Sequence, residues 1–328
     1  MKRHLSVLGA AVVFLAAGVG VAFALGILNL PSDPVCVTHG TWNHGSNSTL
    51  DITLSGVPAG FDVTNGLYTG WCMEDNFMPD HSGCDVVLLD STDTEPLECY
   101  PGDYPGYPWD KINYLLNHKN GTDGTIPATV QDIQVAMWLL TGTNHGTFPL
   151  TDEAQDLFDD ADLWGGGFVP GPGEIAAVIL CVDGNTPGWG SQDTLIEVVL
   201  FQGCTPGYWK QNQHLFAWVG YAPTDLYATV FSVTPSTANL SLLRALQMGG
   251  GGERALYRHA TAALLNAANP AVNYPYTEAE IKSMVQAAYA TGDFETPKDL
   301  FETANEAGCP LGNGKATVAG QGTAWQAD

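Results

Sequence analysis

The chain reads as α+β: an N-terminal β-rich sandwich or barrel with inserted helices, followed by a small all-α domain closed by a disulfide. Three observations point there. Between residues 49 and 201, short apolar runs are bounded by Gly, Pro and Asp, the punctuation of strands. After Gly203 the apolar positions recur at spacings of three and four, the period of a helix. Cys204 and Cys309 stand just outside the first and last of those helices, so a bridge between them would close the second half on itself.

Each element has its own justification. Lys2 and Arg3 precede an uncharged Ala/Val/Leu/Gly run, and Ala22-Phe23-Ala24 offers a small-x-small cleavage site, so residues 1–24 are expected to be a secretory signal. The alternative is an uncleaved membrane anchor, because about 20 apolar residues span a bilayer. Residues 49–54 alternate as a half-buried strand does, and 86–89, 175–182 and 194–201 are apolar β-type runs. A short buried helix remains the alternative for 175–181. Helices are expected at 109–118, with Ile112, Leu115 and Leu116 on one stripe, and at 129–140, with Val130, Ile133, Met137 and Leu140 on another. A third, acidic helix at 152–163 is capped by Thr151. Its Asp156, Asp159, Asp160 and Asp162 lack the spacing of a calcium loop, which favours a solvated face over a cation site. In the second half, helices are expected at 237–248, at 253–268, at 278–291 behind the Thr277/Glu280 capping box, and at 298–307 opened by Pro297. The domains are therefore drawn at 31–202 and 203–312, with a tail at 313–328.

Charge limits the partners. The 328-residue chain has a formal net charge of −24, and residues 33–197 hold 25 acidic side chains against only Lys111 and Lys119. Such a surface repels nucleic acid, which needs clustered Lys and Arg to displace counterions. Membrane contact is expected only if the N-terminal segment stays uncleaved, and self-association is left open.

Seven cysteines in an exported chain leave one thiol without a partner in the monomer. Three bridges are expected: Cys84–Cys99 across a local loop, Cys36–Cys181 between strands, and Cys204–Cys309 around the helical domain. No Cys-x-x-Cys is present, so no metal site is expected, and no cofactor either. That leaves Cys72, in Gly70-Trp71-Cys72-Met73-Glu74-Asp75. Its candidate partner is Gln134, in Asp132-Ile133-Gln134-Val135-Ala136-Met137-Trp138. Gln and Trp at this spacing also describe a partly buried helix face, and Cys72 could equally be half of an ordinary bridge.

Trp109-Asp110-Lys111-Ile112-Asn113-Tyr114-Leu115-Leu116-Asn117, followed by the Gln134–Trp138 run, resembles the thioester domains of bacterial surface adhesins. The resemblance covers roughly residues 50 to 200. In that family a Gln-x-Ala-aliphatic-Trp helix supplies an acyl carbon and a cysteine on an upstream strand supplies the sulfur. Gln134 and Cys72 hold the matching positions, whereas Gln131 is misplaced relative to Trp138. The adhesins usually end in a wall-anchoring tail, and 313–328 has no hydrophobic anchor, so covalent attachment to a wall is not implied here. For the pair to condense, sulfur must displace ammonia from a carboxamide, which a rigid site promotes by raising effective concentration. Trp138, one turn beyond Gln134, and Trp71, beside Cys72, are expected to shield the bond from water. His81, His118 and His145 are candidates to carry protons.

Gly203-Cys204-Thr205-Pro206-Gly207-Tyr208-Trp209-Lys210, Arg258-His259-Ala260 and Asn305-Glu306-Ala307-Gly308-Cys309-Pro310-Leu311 resemble a helical module of exported bacterial and archaeal proteins whose biochemical role is obscure. His214, His259, Arg258 and Glu306 read better as a buried polar cluster fixing helix ends than as a catalytic set. The expectation for the whole chain is an extracellular or cell-surface adhesion protein. It would capture an amine of a protein or other surface ligand in one isopeptide-forming acyl transfer, without enzymatic turnover. The alternatives are a matrix or filament subunit without a thioester, and a cysteine hydrolase or transferase built on Cys72.

Overall fold

The computed structural model describes residues 27–40, 50–58, 61–73, 83–93, 107–143, 148–182 and 194–312. The proposed signal at 1–24, His81, Cys99, His145 and the tail at 313–328 lie outside them.

Six strands form the first half: β1 (Val35–His39), β2 (Leu50–Ser55), β3 (Gly66–Cys72), β4 (Gly83–Asp90), β5 (Ile175–Val182) and β6 (Thr194–Val199). They close into a barrel in the order β1-β2-β3-β6-β5-β4, every neighbour antiparallel. The expected choice between sandwich and barrel is thus resolved as a barrel, and 175–182 is a strand. Alternation fills the interior with one side chain in two, as a small barrel requires. Val35 and Val37, Leu50, Ile52 and Leu54, Val178 and Leu180, and Ile196 and Val198 all belong to this core. Gly70 faces inward as well. A Cβ there would lie 2.3 Å from Ile52 Cδ1, so the position tolerates no side chain unless β2 gives way.

Three helices occupy the β4–β5 connection: α1 (Trp109–Asn117), α2 (Val130–Thr141) and α3 (Asp152–Trp164). They cover the outer face of β3, β6 and β5, where Trp71, Leu195 and Ala177 meet Ile112, Ile133, Met137 and Leu157. α2 departs from the single apolar stripe expected of it. Asp132 through Trp138 and Leu140 are all buried, because Val135 and Trp138 join the barrel interior while Ile133 and Met137 join the outer layer. A helix apolar on every side is one enclosed by protein.

The second half is helical: α4 (Pro206–Trp209), a 3₁₀ turn (Asn212–Ala217), α5 (Tyr227–Phe231), α6 (Leu242–Gln247), α7 (Glu253–Ala268), α8 (Glu278–Thr291) and α9 (Glu295–Asn305). α7 and α8 match the periodicity reading, α8 with its capping box and Gly292 at φ 80°. The helix expected from 237 begins only at Leu242, because Asn239 takes a left-handed φ of 52° and Ser241 caps the start. α9 starts earlier than Pro297 implied, since the Asp293 carboxylate accepts hydrogen bonds from the amides of Glu295 and Thr296. The two halves are tied at the junction. Gly203 bridges Gly308, and Asn273 exchanges hydrogen bonds with Gln202. A Cβ on Gly203 would lie 2.0 Å from the Ala304 carbonyl, so this closure depends on glycine.

Two disulfides are defined. Cys204–Cys309 closes the helical domain as expected. Cys36 pairs with Cys84, which overturns both the Cys36–Cys181 and the Cys84–Cys99 assignments. The reason is the barrel order: β1 and β4 are neighbours, whereas β5 lies one strand further on. Cys181 is disulfide-bonded too. Among the described residues no helix is long and apolar enough to cross a membrane.

Replacing Cys204 and Cys309 together by Ser is expected to lower the stability of the helical domain by about 2–5 kcal/mol, since the bridge closes a long loop. Urea denaturation followed by circular dichroism measures the shift in midpoint. An unchanged midpoint would show that the Gly203–Gly308 junction alone closes the domain.

Candidate functional site

The site lies where α2 meets the end of β3. α2 is fixed there by its first turn. Thr129 caps it, its hydroxyl accepting from the Asp132 amide, while the Asp132 carboxylate accepts from the Thr129 amide at 2.7 Å and from the hydroxyls of Thr129 and Thr151, each at 2.6 Å. Burial pushes the Asp132 carboxyl up, but these hydrogen bonds outweigh it and hold its pKa below the usual aspartate value. Thr151 also caps α3, so one carboxylate sets the first turns of two helices. Gly142, at φ 71°, ends α2.

That placement delivers Gln134 to Cys72. Gln134 Nε2 donates to the Cys72 carbonyl at 2.7 Å, and Gln134 Oε1 accepts from the Cys72 amide at 3.0 Å. Both residues are fully buried. The carboxamide acts as a neighbouring strand would, and it does so beyond the point where β2 begins at Leu50. On its other side Cys72 is paired with Thr194 of β6. Because the Cys72 amide and carbonyl turn to Gln134, Cys72 and Thr194 form the non-hydrogen-bonded kind of antiparallel pair, in which side chains stand closest. Cys72 takes no part in a disulfide, and its thiol belongs to the barrel interior.

The structure separates the other predicted site residues. Trp138 is in the same core as Cys72, its ring edge-on to Phe148 at 5.4 Å. Its Nε1 is buried and meets no hydrogen-bond partner among the described residues. Trp71 is corrected: it does not cover Cys72, because successive strand residues face opposite ways. Its ring lies in the outer layer, its Nε1 donating to Glu197 at 2.7 Å, with Lys119 bound to the same carboxylate and lying 5.6 Å from the ring centroid. His118 is held against its own helix, Nδ1 at 2.9 Å from the Tyr114 carbonyl and the ring stacked on Tyr114.

His39 and Thr194 were missed by sequence reasoning. The signal was present in Val35-Cys36-Val37-Thr38-His39, whose alternation puts His39 on the inner face of β1 with the two valines. Its Nε2 lies 3.3 Å from Thr194 Oγ1.

Acidic α3 is engaged with the protein itself. The Asp160 carboxylate accepts from the amide and hydroxyl of Thr122, and Asp162 pairs with Lys111. In the helical domain Arg258 Nη1 bonds the carbonyls of Met248 and Gly250 beyond the end of α6. His214 Nδ1 contacts the Tyr208 carbonyl, and His259 lies 3.7 Å from Glu302 while burial lowers its pKa. Glu306 is exposed. These residues fix helix ends separately and build no common site. The centre of the domain is Asn266, whose carboxamide bonds the amide and carbonyl of Cys204, the Trp209 indole and Asn305.

Residues 204–316 are similar to the family described as Protodermal factor 1 C-terminal domain. No curated protein and no solved structure matches the chain.

Two predictions follow from this geometry. In a Cys72→Ala background, Gln134→Ala leaves a buried amide and carbonyl without partners, at a cost of about 2–5 kcal/mol by chemical denaturation. A Gln134→Ala loss under ~1 kcal/mol would mean the clamp carries no weight. The Asp132 contribution, from a depressed folded pKa, is fully present above the ordinary aspartate value near 3.8 and is lost as pH falls through the folded one. Asp132→Asn should therefore lower stability at neutral pH and flatten the acid limb of the melting curve.

Proposed function

We propose that this is an exported surface or extracellular protein whose barrel domain holds an internal thioester between Cys72 and Gln134 and uses it to capture an amine. The observation that carries the reading is the reciprocal hydrogen bonding of the Gln134 carboxamide with the Cys72 backbone, around a thiol kept out of the disulfides. The carboxamide is held beside the residue that bears the sulfur, and the Cys72 amide is already aimed at the oxygen on which charge develops during attack. Condensation removes the Gln134 nitrogen as ammonia and sacrifices only the bond to the Cys72 carbonyl. Trp138 and the barrel interior shelter the product from water. An incoming amine, such as a lysine of a protein ligand, then takes the acyl group and frees the sulfur. The product is an isopeptide link, so the protein is consumed rather than turned over. Resemblance to the thioester domains of bacterial adhesins supports the same chemistry, and the disulfides suit an oxidising, extracellular location. No nucleic acid, metal or cofactor enters this account.

A second reading has one observation in its favour. Asn117 clamps the amide and carbonyl of Ile175 just as Gln134 clamps Cys72, so such a contact serves purely structural ends elsewhere in the barrel domain. Under that reading the chain is a matrix or filament subunit that adheres without a covalent bond, using exposed side chains such as Leu163, Trp164 and Val169.

Intact mass of the secreted, non-reduced protein separates the two. A mass lower by one ammonia, with methylamine adding at Gln134 and both effects lost in Cys72→Ala, is the expected result. A full mass with no adduct would leave the structural subunit.

A further inference from the structure

The barrel interior is mostly apolar among the described residues, with Asp90 of β4 buried at one end and a second polar group at the other, where Cys72 sits. There, His39 on β1 and Thr194 on β6 face inward with the thiol. Thr194 is 1 % exposed and stands directly opposite Cys72, and its hydroxyl oxygen is 3.3 Å from His39 Nε2. A buried hydroxyl that contacts an imidazole, on the residue paired across the strands with the one that bears the thiol, offers a path for one proton, since a hydroxyl donates and accepts at once. The arrangement comes from three strands distant in sequence, and packing alone would favour valine over threonine or histidine at such inward positions.

We infer that His39 and the Thr194 hydroxyl together carry the proton for both steps at Cys72, His39 as the base and Thr194 as its link to the sulfur. The inference rests on the thioester reading. In the first step the Cys72 thiol passes its proton through Thr194 to His39 as Sγ bonds to Gln134 Cδ. The Cδ–Nε2 bond breaks, and His39 returns the proton to the departing nitrogen, which leaves as ammonia. In the second step an amine nitrogen bonds to Cδ and the Cδ–Sγ bond breaks. One amine proton passes through His39 and Thr194 to the sulfur, restoring the thiol. No oxidant, metal or further reactant is required. Among the described residues Cys72 is turned toward this pair, Asp90 of β4 is buried further along the barrel and accepts from the Leu28 amide, and Asp51 on β2, Asp85 on β4 and Glu197 on β6 stand at outward positions.

The test uses the full secreted chain as wild type, His39→Ala, His39→Gln, Thr194→Val and Cys72→Ala. Each is checked for a cooperative melt, then followed by intact mass for ammonia loss and for the rate of methylamine addition across pH 5 to 9, about the range over which an imidazole changes charge. Wild type should show a rate inflection within that range. The folded His39→Ala, His39→Gln and Thr194→Val proteins should either keep the ammonia or add methylamine about a hundredfold more slowly, without that inflection. His39→Gln guards against a packing artefact, since it preserves a hydrogen-bonding side chain but not a titrating one. If wild type carries the thioester and folded His39→Gln matches its rate and pH profile, the relay is overturned while the thioester stands. If wild type itself shows no ammonia loss, the thioester reading falls and the relay falls with it.

Discussion

The contact between the Gln134 carboxamide and the Cys72 backbone holds the first half of the molecule in its observed form. β3 runs past the start of β2, so the amide and carbonyl of Cys72 would be buried without partners at the mouth of the barrel. A helix side chain supplies both. To do so α2 must lie where its other residues serve two cores at once, Val135 and Trp138 inside the barrel and Ile133 and Met137 outside it. The burial of nearly the whole helix follows from that one docking point.

The same device recurs, and its recurrence sharpens the functional question. Asn117 treats Ile175 in this way on the opposite part of the helical layer, and Asn266 treats Cys204 so in the second domain. A carboxamide has one donor face and one acceptor face at about the spacing of a peptide group, so it can stand in for a missing strand. Clamping is therefore a structural habit of this chain. What differs at Gln134 is the residue clamped: Ile175 has no reactive group, Cys204 is committed to a disulfide, and Cys72 retains its thiol. The chemistry proposed for the site rests on that combination and on the polar pair His39 and Thr194 next to it.

Much of the fold was legible in the chain because it is written in local patterns. Thr277 and Glu280 announce α8, Thr151 announces α3, and the spacing of Leu256, Ala260, Ala263 and Leu264 announces α7. Where reading failed, a non-local cause was at work. The helix start before Leu242 was lost to Asn239, whose left-handed backbone has no periodic signature. Trp71 was taken for a roof over Cys72 because it adjoins it in sequence, although adjacency on a strand means opposite faces. The alternation ending at His39 spans only five residues, so the imidazole that meets Thr194 went unnoticed.

The order of residues alone determined the class of each half, the acidic character of the first half and the pairing of Cys204 with Cys309, since each depends on composition, local spacing or chain separation. It also brought Cys72 and Gln134 forward as a pair, through motif and cysteine parity. Tertiary structure decided the rest. Closure of six strands in the order β1-β2-β3-β6-β5-β4 set Cys36 against Cys84, turned Trp71 outward, and gathered His39, Thr194 and Cys72 at one end of the barrel. Those neighbours arise from strand order and register, which are fixed only when the two faces of every strand find their cores together.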